Sequence, residues 1–417
     1  MKILNVLKNA IIKRVIDGPT WVFFLSIFFP LTILYSITAD WELPYDADAA
    51  INAISAWHLY HNLSPFLPGY ESLVDYAPSR RMTALRMGVY GAVSAVPPGA
   101  AFAAAPFYAL ASEELITHEI INFPVDLPPL QLVLPELWPA TLAAIIYTAA
   151  SVGLLGLIFT SQGARPEAWL AAYTAGLGTS AWSVASSELF MHGPAMFWIS
   201  LGVYLSVNSR FFCSGLALAL AILTRPHLAV IPASMGLLGS FGNKRIPPFL
   251  LTGIGSSLGV LLLALYHWFV FGKFSVIGGY ADTFVERIWN PDFLSYLENI
   301  FGGLFDFRSG FLVWSPFLLA LLPGIHRGWN NSSWAIRGAA VGGFIYLLLQ
   351  YKMNRFNPAN ITLYRYPLEA LTASAPLFFA CYLHWTKLGG PSSIRRSILK
   401  KLIPLAVLMH GFGAIFL

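Results

Sequence analysis

The chain has 417 residues, 57% of them hydrophobic and only 11% charged, with a formal net charge of +5. Soluble domains carry about a quarter charged residues, so this composition excludes an ordinary soluble protein. Apolar runs of about 20 residues recur from end to end, each long enough to cross a hydrocarbon core of about 30 Å. The fold class read from this is an all-α polytopic membrane protein.

About eleven membrane spans are expected, at 20–39, 138–160, 168–186, 194–209, 211–224, 227–241, 247–271, 311–325, 334–351, 366–385 and 402–417. The first is long and lacks a clear small-residue cleavage site, so no removable signal peptide is expected. With the N-terminus in the cytoplasm, the inner segments hold fifteen Lys and Arg against only Asp17 and Glu167. That asymmetry is the positive-inside rule. It places the chain as a multi-pass protein of the plasma (inner) membrane and makes the basic balance a report of topology. Nucleic acid is therefore not an expected partner; the lipid bilayer is. Residues 1–417 read as one transmembrane domain with two long extracytoplasmic loops, 40–137 and 272–310. Cys213 and Cys381 fall inside spans and read as free thiols.

The first loop opens with DWELPYDADAAINAISAWHLYHN, from Asp40 to Asn62. Asp46 or Asp48 falls in the first turn of a helix, where unpaired N–H groups and the helix dipole favour a carboxylate. Ile51, Ile54 and Trp57 recur at helical spacing, with Asn52, Ser55, His58 and His61 on another face, so an amphipathic surface helix is expected. Asp46-Ala47-Asp48 spells a short D-x-D pattern that leaves a divalent cation open as a cofactor. No third ligand accompanies His58 and His61, and no metal site is assigned to them. Farther on, VPPGAAFAAAPFYAL reads as a re-entrant or interfacial helix with prolines at its start.

Glu188 and His192, in SSELFMHGP, stand at i and i+4 beside the outer end of a span and could line one cavity. Arg225-Pro226 divides residues 211–241 into two crossings of about 14 residues, roughly 21 Å of helix each. The turn between them is expected below the outer surface, placing Arg225 at membrane depth, where an ionisable group is a functional candidate. Snorkelling to the interface is the competing account. Arg308, in FDFRSGFLVWSP, and Arg365, in LYRYPLEA, precede later spans. Each alone reads as an interface anchor or a ligand. With Arg225 they suggest a site for an anionic headgroup, because guanidinium forks suit phosphate oxygens.

In chain order these segments resemble the GT-C superfamily of integral-membrane glycosyltransferases. Its members include protein O-mannosyltransferases, lipid A aminoarabinose transferases and bacterial arabinofuranosyltransferases. The resemblance rests on the acid after the first span, AINAISAWHLYHN, VPPGAAFAAAPFYAL, LFMHGPAMFWISLGVYL, LALAILTRP, FDFRSGFLVWSPFLLALLPG and YRYPLEAL. It implies a bundle of about eleven transmembrane helices with surface helices in the first outer loop. It also implies transfer of a sugar from a polyprenyl-phosphate donor to a hydroxyl of a glycan, lipid or protein on the extracytoplasmic face. Asp46 or Asp48 would be the base, and Arg225, Arg308 and Arg365 would hold the departing phosphate, with inversion at the sugar. Many relatives carry a second acid where this chain has His192, which leaves Glu188 as the nearest carboxylate; His58 would line the same cavity. A transporter or flippase of lipid-linked sugars is the alternative class, although no internal repeat of the kind common in transporters is visible.

Overall fold

The computed structural model describes residues 17–41, 47–75, 84–120, 130–280, 286–290, 292–354, 363–390 and 393–416. Each of the eleven expected spans coincides with a helix or a run of helices. The first is α1 (Thr20–Thr38), and a cap follows it. The cap is built from α2 (Ala47–His61), the ribbon β1 (Leu85–Gly88) and β2 (Gly91–Ser94), α3 (Gly99–Ala104), and a second ribbon, β3 (Leu115–Ile120) with β4 (Leu130–Pro135). Both ribbons are antiparallel, with Leu85 opposite Ser94 and Leu115 opposite Pro135.

The bundle then continues through α4 (Trp138–Thr160), α5 (Arg165–Leu177), α6 (His192–Val207), α7 (Phe211–Thr224), α8 (Val230–Asn243) and α9 (Pro247–Phe271). An outer helix, α10 (Phe293–Phe305), precedes a broken helical run over 311–330, then α11 (Trp334–Met353), α12 (Leu368–Cys381) and α13 (Ile394–Phe416). Among the described residues four helices, α1, α4, α9 and α13, are individually long and apolar enough to cross a membrane. The protein is an all-α polytopic membrane protein, and among the described residues its strands are confined to the two small ribbons.

Close backbone approach explains much of the packing. A Cβ on Gly215 of α7 would stand 2.5 Å from the Thr252 carbonyl oxygen of α9, and one on Gly255 would stand 2.6 Å from that of Phe212. Small residues at such interfaces let membrane helices gain contact where no hydrophobic drive exists between helix and lipid. The main core lies between α1, α4, α6, α11 and α12, around Phe23, Leu31, Tyr35, Val152, Ile199 and Tyr346. Tyr35 donates to the Gly176 carbonyl at 2.9 Å, tying α1 to the end of α5. By contrast α10 turns Phe293, Leu294, Phe301 and Phe305 outward. An amphipathic helix with such a face suits the membrane interface.

One expectation is modified. Helix α2 does not present a polar face to water: Asn52, Ser55 and His58 are buried together with Ile51, Ile54 and Trp57. The chain downstream folds over it, and Leu67, Tyr70, Leu85, Tyr108 and Leu134 join it in a second core. Tyr70 donates to the Val133 carbonyl, fastening β4 across the cap. Helical periodicity marked the first apolar face, but it could not show that the ribbons and α3 would cover the second.

The expected short helix after the paired prolines is present as α3 plus a 3-10 stretch, Ala105–Leu110. At about 1.5 and 2.0 Å rise per residue the two together fall short of a 30 Å crossing. Its first glycine is pressed against the end of α7, where a Cβ would stand within 2.6 Å of the Leu223 carbonyl carbon. Replacing Gly99 with Ala should therefore lower stability by about 1–3 kcal/mol, the usual cost of overpacking. Thermal unfolding in detergent would check this, and an unchanged midpoint would show that the contact yields freely.

Candidate active site

Two polar clusters meet along the segment 187–192, between α5 and α6. The first lies deep in the bundle and is centred on Arg225. Pro226 disfavours helical backbone in the residue before it, and Arg225 accordingly ends α7 in an extended conformation, φ −147° and ψ 109°. A 3-10 turn, Pro226–Ala229, then leads into α8. The Arg225 side chain is directed into protein, not water. Its Nε lies 3.1 Å from Glu369 Oε1, its Nη1 donates to Tyr346 Oη at 3.1 Å, and its Nη2 lies 3.3 Å from His192 Nε2. His192 Nδ1 lies 2.9 Å from the same Glu369 oxygen.

Glu369, His192 and Arg225 are 0%, 1% and 6% exposed. A charge at that depth is tolerated only when paired and hydrogen-bonded. Gln350 donates to Tyr346 Oη at 3.0 Å and also contacts His227, whose ring stacks on Tyr346 with centroids 5.0 Å apart. Three helices, α6, α11 and α12, and the Arg225 turn are thereby locked together at one level of the bundle.

The second cluster sits at the cap. Asp48 is half-buried in the first turn of α2. The carbonyl of Asp40, just past α1, accepts from Thr141 Oγ1 at 3.0 Å, and its N–H donates to the Ser187 carbonyl at 3.2 Å. Asn52, one turn beyond Asp48, donates to the Leu189 carbonyl at 3.0 Å. Between these elements is a small cavity of about 10 Å³ lined by Asp40, Ala49, Ala53, Thr141 and Glu188 among others. Asp40 and Glu188 thus border the join between α1, α2 and the 187–192 segment, and Asp48 is the chain neighbour of its lining residue Ala49.

The remaining expected residues fall around this join. Arg365 stacks over Phe190 at 5.5 Å and over Tyr366 at 5.2 Å. Arg308 is exposed, and its carbonyl accepts from Leu363 N at 2.8 Å, so the two arginines lie on hydrogen-bonded segments. The Phe190 ring also lies near that of His192, centroids 6.1 Å apart, and His192 itself meets Arg225. Glu188 borders the small cavity, and His192 is not in its lining. Helix α6 begins only at His192, and both nitrogens of that ring face Glu369 and Arg225. Asp46 lies outside the described residues. Among the described residues, no group of three or more His, Cys, Asp and Glu is placed to hold a metal ion.

His58 is set back from the join. It pairs with Asn62 Nδ2 at 2.9 Å and packs edge-on against Trp57 and near Tyr70. Burial, with His61 beside it, brings the His58 imidazole down to about 4. It is neutral in the folded cap, whereas an unfolded histidine takes up its proton near 6.5. Stability should therefore be full above pH 6.5 and fall as pH drops from there toward 4. Thermal unfolding across that window should show a shallower acid arm in His58→Gln; identical arms would remove His58 from the account.

Glu369 was not singled out from the sequence, although it lies three residues inside the 366–385 span. The rule that drew attention to Arg225, that ionisable groups in spans are suspects, applies equally to it. It applies as well to His410, which meets Ser183 Oγ at 3.0 Å and Ser315 Oγ at 3.2 Å.

No protein-family model matches the chain, and no curated protein matches it by sequence. Its fold does match a solved structure, that of ArnT from Cupriavidus metallidurans bound to undecaprenyl phosphate. The TM-score is 0.51 at 12% identity, and the match covers 94% of this chain and 75% of that one. The chain therefore shares the overall fold of that structure.

Proposed function

We propose that this protein is a glycosyltransferase that moves a sugar from a polyprenyl-phosphate donor to an acceptor hydroxyl at the extracytoplasmic surface. The observation that carries the proposal is the fold shared, over nearly the whole chain, with a protein bound to undecaprenyl phosphate. The cap-side join supports it, since Ala49, next to Asp48 at the start of α2, shares a buried cluster with Phe190, Leu363 and Tyr364, just before Arg365. In this reading the acceptor oxygen bonds to the anomeric carbon as its proton passes to Asp48 or Asp46. The bond from that carbon to the phosphate oxygen breaks, and its electron pair leaves with the lipid phosphate. A single displacement inverts the anomeric centre. The acceptor is a hydroxyl on a glycan, lipid or protein, and it would be recognised by the loops of the cap.

The three arginines then divide their work. Arg225 already faces Glu369, Tyr346 and His192, so it serves mainly to position His192 and the 187–192 segment. Arg365 and Arg308 meet the phosphate, whose charge grows in the transition state. Arg308→Ala and Arg365→Ala should each weaken donor use by about 1.5–3 kcal/mol, the range for hydrogen bonds to charged groups. Lysine should restore only part, because it lacks the fork. Steady-state kinetics with a polyprenyl-phosphate sugar would measure both effects, and wild-type values in both alanine variants would return these arginines to anchoring. A structure determined with polyprenyl phosphate tests the placement itself. Phosphate density beside Arg365 agrees with the proposal, and density at the far end of the bundle contradicts it.

A further inference from the structure

A second cavity, larger than the one at the cap-side join, lies elsewhere in the bundle. It holds about 510 Å³ and lies between α4, α5, α12, α13 and the broken run over 311–330. Its walls are apolar, with Leu155 and Phe159 from α4, Ala375 and Phe379 from α12, and Leu321 among those that close it. Along α12 the lining runs from Leu368 to Phe379, and Tyr382 lies just beyond. Fourteen residue steps of helix amount to about 21 Å, enough to exceed the depth of one leaflet, about half of a 30 Å core. The cavity therefore has the length and character of a slot for a hydrocarbon chain.

Its mouth lies away from Asp48. Helix α4 begins beside Asp40 and reaches the cavity only with Val152, Leu155 and Phe159 in its second half. Around the mouth stand Arg396 and Lys400, in the first two turns of α13, with Glu167 at the start of α5. The Glu167 carboxylate is met by Lys387 Nζ at 2.9 Å, which leaves the mouth net positive. Cations in the first turn of a helix oppose its dipole, so they are unfavourable there unless an anion joins them. The Nε of Arg396 is buried and has no hydrogen-bond partner among the described residues. The slot is also open along its side. Gly178, just past α5, packs against Ala406 of α13 and accepts from Ser315 Oγ at 2.7 Å. Those contacts close the two helices together near the cap. Toward the mouth Leu170 of α5 is 60% exposed, where a lipid could enter from the bilayer.

We propose that this cavity binds an anionic phospholipid of the leaflet opposite the active site, with an acyl chain in the slot and its headgroup phosphate against Arg396 and Lys400. The site is distinct from donor binding and does not depend on the sugar-transfer reading. Bound lipid would add contacts to α5, α12 and α13 around the mouth, beside the Glu167–Lys387 bridge, and so would raise thermal stability by mass action.

The test uses the full chain, purified and exchanged into micelles containing equal amounts of phosphatidylglycerol and phosphatidylcholine, with bound lipid counted by native mass spectrometry. Wild type should retain one phosphatidylglycerol with a preference of about tenfold or more, as charge-assisted contacts imply. Arg396→Gln/Lys400→Gln should lose that preference. Lys400→Gln alone, at an exposed position that does not burden folding, should lose part of it. Lys401→Gln, outside the cavity lining, should keep it. Ala375→Trp should lower retention with both charges intact, because it fills the slot. Equal retention of the two lipids by wild type, or unchanged preference in Arg396→Gln/Lys400→Gln, would overturn the proposal. Displacement of phosphatidylglycerol by polyprenyl phosphate would also overturn it, by giving the cavity to the donor.

Discussion

Asp48→Asn should reduce sugar transfer by about 10²–10⁴, the usual worth of a positioned general base, while leaving thermal stability and donor binding near wild type. Asparagine caps a helix almost as well as aspartate, so the α2 start should survive the change. Two residues apart on a helix, side chains diverge by about 200°; only one of Asp46 and Asp48 should reach the acceptor. Asp48 is favoured because it lies in the first turn of α2 beside Ala49, which lines the Asp40–Glu188 cavity. Asp46→Asn should then be tolerated. An inactive Asp46→Asn with an active Asp48→Asn would exchange their roles. Single-turnover rates on purified variants would separate these outcomes.

Glu369→Ala should be the most destabilising single change in the bundle core, by about 3–5 kcal/mol, because it leaves the Arg225 guanidinium buried without its carboxylate. Typical domains have only about 5–15 kcal/mol in total, so much of this variant should fail to reach the membrane folded. Removing both charges, as in Arg225→Leu/Glu369→Leu, should recover a large part of that loss, since well-packed apolar pairs often match a buried ion pair. Activity should not return with stability in the double variant, because His192 would lose both of its partners. Unfolding midpoints for the two single variants and the double variant form a cycle that isolates the pair. A Glu369→Ala midpoint equal to wild type would show that Arg225 finds another anion.

Much of the bundle was legible in the sequence because the bilayer imposes a length and a polarity on every crossing. The Arg225-Pro226 break is an example: two helices of 14 residues each flank a 3-10 turn, as the spacing required. The short helix after Pro97-Pro98 was legible for the same reason, since 12 residues cannot cross. The cap was less so. Periodicity identified α2, but its burial depends on ribbons and a fold-back contact at Tyr70 that no local pattern encodes. Arg225 was visible as an ionisable group at depth, whereas its partners come from residues 33 to 144 positions away in the chain. Glu369 was hidden by its place near the start of a span, where a carboxylate reads as a helix-end residue. Pairings between distant segments are set by tertiary packing and leave no periodic trace.

The central claim is donor chemistry, and release of polyprenyl phosphate tests it most directly. Full-length protein in liposomes would be given polyprenyl-phosphate sugars with candidate glycan, lipid and peptide acceptors, and free lipid phosphate would be followed with time. The account predicts acceptor-dependent release that is abolished in Asp46→Asn/Asp48→Asn. Release at the wild-type rate in that double variant, or movement of intact lipid-linked sugar between leaflets without cleavage, would contradict it.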